Sequence, residues 1–75
     1  MTHRSDLVLH IDNTIGVSFR KSVENYITQR DGVFKAHFND QRPHLMLVSY
    51  DPGQVTSLEI LAQMKGQRLD VERIG

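Results

Sequence analysis

What most constrains this chain is the order in which two hydrophobic periods follow one another along its 75 residues. Leu7, Leu9 and Ile11 alternate with Val8, His10 and Asp12, the period of a half-buried strand. The period then becomes helical: Phe19, Val23, Tyr26, Ile27 and the stem of Arg30 form one stripe, with Ser18 the expected N-cap. Asp31-Gly32 ends that helix, and alternation returns over 33–38 with Phe34, Ala36 and Phe38 expected on one side. Asn39-Asp40-Gln41-Arg42-Pro43 is turn chemistry, so this strand and the next, 44–50, are expected to form a hairpin with a longer loop. After Asp51-Pro52-Gly53, Thr56 and Glu59 stand as a capping box, opening a second helix over 57–65. Gly66 suits the position just past that helix, and Leu69, Val71 and Arg73 alternate against Asp70, Glu72 and Ile74 as a last strand.

The order is βαββαβ, and in so short a chain it predicts an α+β, ferredoxin-like sandwich: a four-stranded antiparallel sheet with both helices on one face. Right-handed crossovers leave few alternatives and separate the first strand from the second by the third. No repeat or linker interrupts residues 1–75, so one domain is expected. Nine Lys and Arg balance nine Asp and Glu, which argues against nucleic acid as a generic partner. With no cysteine, disulfides, thiolate metal sites and cysteine nucleophiles are excluded. The apolar stretch after the N-terminus runs to only about five residues, too short for a signal sequence or a membrane span. A cytoplasmic location without membrane insertion is the expectation.

Ser22-Val23-Glu24, Asp31-Gly32-Val33, Tyr50-Asp51-Pro52 and Leu58-Glu59-Ile60-Leu61, in this order and spacing, resemble the framework of the heavy-metal-associated domain. That family comprises copper chaperones and domains of metal-transporting ATPases, and the resemblance covers nearly the whole chain. In the family a Met-Thr-Cys-x-x-Cys loop holds monovalent copper through two thiolates, as a soft ion demands. Counted back from Val23, the cysteine positions fall on Gly16 and Phe19, and the Met-Thr pair on Thr14 and Ile15. Metal carriage therefore does not transfer. What the resemblance still implies is the fold, and docking onto another protein through the same loop and helix: Asn13, Thr14, Ile15, Gly16, Val17, Ser18, Phe19 and Arg20, with no cofactor.

Gly16-Val17-Ser18-Phe19-Arg20 is also similar to the signature loop of acylphosphatases, which share the fold class. That similarity implies Arg20 as a phosphate ligand beside helix N-terminal amides, and Asn39 as the residue orienting water. Asn39 stands one residue late and Ile15 replaces a glutamine, so the site needs a bulge to bring Asn39 to the right face.

His3, His10, His37 and His44 invite a metal reading, with copper or another transition ion as ligand. His3 belongs to an N-terminal chelate that exists only if the initiator methionine stays. His10 and His37 are expected two strands apart, about 10 Å, too far to share an ion. The bland expectation is exposed sheet-face histidines. Likewise Phe19 is expected to complete the core stripe, and Asp12, Asp51, Glu59, Asp70 and Glu72 form no expected acid and base pair. Leu45 and Leu47 alternate with Met46, Val48 and Tyr50, so the third strand is apolar on both faces while only one meets the helices. That leaves self-association or a sheet-face partner as an expectation beside simple shielding. Three functions stand in order: a protein-docking module, a histidine metal binder, and an acyl-phosphate hydrolase.

Overall fold

The computed structural model describes residues 4–74. Along the chain run β1 (Ser5–Ile11), α1 (Val17–Thr28), β2 (Val33–Phe38), β3 (Leu45–Tyr50), α2 (Ser57–Lys65) and β4 (Val71–Arg73). The sheet order is β2-β3-β1-β4, antiparallel at each pairing, with both helices on one face. This is the ferredoxin-like arrangement that the two periods require. Among the described residues no helix is long and apolar enough to cross a membrane.

The core lies between sheet and helices. Leu7, Leu9 and Ile11 of β1 are fully buried there, with Val23 and Ile27 of α1, Met46 and Val48 of β3, and Ile60 and Met64 of α2. Each such side chain contributes about 1.5–3 kcal/mol relative to exposure, so the inward alternation on β1 and β3 fixes the register. That register runs from Ser5 opposite Tyr50 to His10 opposite Leu45.

Four local features differ from the sequence reading. The helix begins at Val17, so Ser18 lies inside its first turn and Gly16 occupies the cap position with no side-chain cap. Phe19 is 40% exposed, and Ile15 rather than Phe19 packs against the core from this segment. In β2 the partners step from Val33 opposite Tyr50 to Lys35 opposite Ser49, a bulge that turns Phe34 outward and leaves Val33, Ala36 and Phe38 facing inward. After α2, Gly66 stays right-handed at φ −62°, and Arg68 is the residue with positive φ, at 63°. Tight bonds from Gln67 N–H to Met64 O and from Arg68 N–H to Lys65 O, both 3.0 Å, close the helix before that reversal.

The capping box forms, in a modified way. Thr56 Oγ1 accepts the Glu59 amide at 3.1 Å, and its hydroxyl donates to Glu59 Oε1 at 3.2 Å. The other Glu59 oxygen pairs with Arg30, just past the C-cap of α1, so the box also ties α2 to the turn that follows α1. Ahead of β2, Gly32 adopts φ +94°, and its carbonyl accepts the Asp51 amide at 2.7 Å.

Candidate functional site

The segment 13–20 leaves the end of β1 held at one side only. Asn13 Oδ1 accepts the Asp70 amide at 2.7 Å, and the Asp12 amide donates to Asp70 O at 2.8 Å. Ile15 reaches the core, and then local support stops. Gly16 has an ordinary φ of −74°, and a Cβ there would meet no atom within 4 Å, so neither backbone nor packing requires a glycine. The first turn of α1 carries no acidic residue. Val17 and Phe19 stand 60% and 40% exposed on that turn. Arg20 and Lys21 follow, and neither makes an ion pair among the described residues. An apolar pair is thus bordered by two cations and the positive end of a helix dipole.

The same loop does not fit monovalent copper. Its side chains offer hydroxyl and amide oxygens and a guanidinium, and no sulfur stands among residues 13–20.

Beside the loop lies a cavity of about 600 Å³ lined by Asp12, Lys65, Arg68, Asp70 and Glu72 among others. It was not foreseen from the sequence, where these carboxylates form no pair. The ends of β1 and α2 and the start of β4 bring them together, and the left-handed Arg68 shapes the turn. Its charges are mixed, so it completes the polar border of the loop surface without dictating acid and base roles.

The histidines fall into two places. The His10 and His44 rings stack with centroids 5.8 Å apart and planes 18° from parallel. Their Nδ1 atoms donate to Asp12 Oδ1 at 2.8 Å and to Ile11 O at 2.7 Å, because a carboxylate and a carbonyl can only accept. His44 precedes β3, and its carbonyl accepts the Ile11 amide at 2.8 Å, prolonging the β1–β3 ladder. The register that sets Leu45 opposite His10 brings the two rings together, and histidine spacing alone does not give it. His37 stands across β3 from β1, with Nδ1 3.5 Å from Glu24 Oε2. Among the described residues no three His, Cys, Asp or Glu side chains are grouped to hold a metal. His3 lies outside the described residues.

Arg20 and Asn39 are not brought together. Arg20 is on α1, while Asn39 lines a pocket with Val8, His37 and Leu47 on the opposite face of the sheet. The β2 bulge precedes Ala36, so Phe38 faces inward and Asn39 outward. Asn39 Oδ1 is also engaged, accepting the Gln41 and Arg42 amides at 2.8 and 2.9 Å. The residue folds the hairpin turn.

No family model matches the chain, and no curated protein matches it. Solved structures do. A copper-binding domain from HMA7, a P-type ATPase, superposes with a TM-score of 0.84 at 20% identity, over 97% of this chain and 96% of that one. A putative copper-ion-binding protein from Bacillus anthracis str. Ames gives 0.84 at 19% identity, over 96% of this chain and all 100% of the other. The CopZ metallochaperone gives 0.81 at 24% identity, over 91% and 100%. At these identities the likeness is one of fold: this chain is similar in architecture to heavy-metal-associated domains, and it has no cysteine.

Proposed function

We propose that the chain is a non-enzymatic binding module that docks onto a partner protein through residues 13–20 and α1. The observation that carries this reading is the exposure of Val17 and Phe19 on an uncapped first turn, preceded by a glycine that the backbone does not need. Natural sequences depart from local consistency where function requires it, and here two exposed apolar side chains stand within three residues on a turn without a side-chain cap. Arg20, Lys21 and the helix dipole make the surround positive, so the partner expected is an apolar anchor flanked by carboxylates. Similar structures described as a metallochaperone and as a domain of a P-type ATPase agree with a role among interacting domains, with the metal loop replaced by side chains suited to protein contact.

A photo-cross-linking residue at position 17, with one at the equally apolar and more exposed Leu58 as control, tests the reading. A protein captured from position 17 alone, and lost with Phe19→Asp, should shift amides only within 13–20 and α1 when mixed with the purified chain. Shifts elsewhere would reject this surface. Titrations with monovalent copper under reducing conditions and with inorganic phosphate separate the rivals. Saturable copper shifts at His10 and His44 would favour metal capture, and phosphate shifts confined to 16–20 would favour the hydrolase.

A further inference from the structure

We propose that the face of the sheet turned away from the helices associates with a second copy of this chain, about a two-fold axis running across the strands. This rests on a surface separate from the 13–20 loop and stands whether or not that loop docks a partner.

Three rows of side chains cross the open face. In the middle row His37, Leu47 and Val8 lie side by side in register on β2, β3 and β1, and the Ile74 amide donates to Val8 O at 2.9 Å, adding a fourth strand to the row. Leu47 is 41% exposed and Ile74 56%, and Val8, Leu45 and Leu47 line a shallow pocket of about 350 Å³. On one side of this row stand Lys35, Ser49 and Asp6, in register across three strands. Arg4 reaches across them, donating to Ser49 Oγ at 3.0 Å while Ser49 donates to Asp6 Oδ1 at 2.8 Å. On the other side stand Leu45, His10 and Glu72, with Asp12 bonded to His10.

The apolar row therefore separates Arg4, Asp6 and Lys35 on one side from Asp12 and Glu72 on the other, where Lys65 and Arg68 line the neighbouring cavity. A two-fold axis parallel to the strands lays each row over the same row of the second copy and keeps Arg4 and Asp12 apart. An axis along the apolar row keeps Val8 and Leu47 against their counterparts and brings Arg4 of each copy over Asp12 of the other. Such an interface is isologous, so every favourable contact occurs twice. A helix or loop from another protein would need an acidic group opposite Arg4 and a basic one opposite Asp12, whereas a second copy supplies both by symmetry. Four strands spaced by about 4.8 Å and about 20 Å long offer a footprint near 400 Å², roughly half the usual 800 Å² per partner. The dimer is accordingly weak and concentration-dependent.

Sedimentation equilibrium and amide shifts followed on dilution from about 1 mM test this, the range that so small a footprint requires. A monomer–dimer equilibrium is expected, with shifts at Val8, Asp12, Leu45, Leu47 and Ile74 and none at 16–20. Leu47→Lys should weaken it about tenfold or more with the fold retained, since that side chain is already partly in water. Arg4→Glu and Asp12→Arg should each abolish the homodimer. Mixed, they should associate again, because only the mixed pair sets opposite charges at both contacts. A chain that stays monomeric at about 1 mM overturns the proposal, as does a dimer indifferent to Leu47→Lys. Single variants that do not recover on mixing overturn the assigned axis.

Discussion

The Glu24 carboxylate on α1 accepts the backbone amide of Phe38 on β2 at 2.7 Å, a part-buried bond linking a helix to the edge of the sheet. β2 is an outer strand, and its outward amides have no ladder partner. Glu24→Ala leaves that amide without its acceptor and should cost about 1–3 kcal/mol. Glu24→Gln keeps an acceptor oxygen and should cost less. Urea denaturation gives the stability, and amide exchange at Phe38 gives the cause: faster exchange at this residue with α2 protected as before. Equal stability of Glu24→Ala and the parent chain would show that water replaces the carboxylate at no cost.

Gly32 is required on two independent counts. Its φ of +94° disfavours any side chain, and a Cβ would lie 2.8 Å from Gln54 Cβ and 3.1 Å from Val55 Cγ1. Gly32→Ala should therefore destabilise the chain by about 1–3 kcal/mol from backbone strain alone, more if the 51–55 loop cannot shift. The effect should appear in thermal unfolding together with altered amide shifts at Asp51, whose N–H bonds to the Gly32 carbonyl.

The residues behind the family resemblance are residues of the scaffold. Val23 is core, Glu24 seals the edge of β2, Gly32 turns the chain, and Asp51 folds the next loop by accepting the Gly53 amide at 2.9 Å. Glu59 closes the α2 cap. Their spacing is set by the fold, which is why element order, sheet order and the inward faces of β1 and β3 were legible without any structure. The chain has no cysteine on which the resemblance could place a site, so legibility stopped at the loop. What the sequence hid has particular causes. The β2 bulge adds one residue that no alternation rule locates, and it moved Phe34 to solvent. Phe19 shares a helical stripe with Val23, yet periodicity does not say where the core ends. The His10 and His44 stack and the cavity around Arg68 depend on strand register and chain ends that meet only in three dimensions.

At the other end of the molecule Thr56, Glu59 and Arg30 form a connected set in which the cap and the ion pair share one carboxylate. Thr56→Ala removes the acceptor for the Glu59 amide and should cost about 0.5–2 kcal/mol. Arg30→Ala removes a partly exposed pair and should cost about 1 kcal/mol or less. Because Glu59 serves both, the double substitution should depart from the sum of the singles, and a double-mutant cycle by chemical denaturation measures the coupling. Strict additivity would mean that the cap does not feel Arg30.

Gly16 separates a loop shaped for stability from one retained for contact. At φ −74° and ψ 167° it already has the extended geometry of an N-cap, and open space surrounds a Cβ. Gly16→Asp supplies a cap for an uncapped helix, places a negative charge at its positive end and reduces the freedom of the unfolded chain. The sum should be a gain of about 1 kcal/mol, visible as a higher urea midpoint at unchanged slope. Docking should move the opposite way, because the new carboxylate stands beside Val17 and repels a partner whose flanks are acidic. A chain that is more stable and binds the partner less well is the trade expected where a helix end is left weak for recognition. If the variant gains stability and binds as before, the docking surface lies away from this turn, and Val17 and Phe19 are exposed for some other reason.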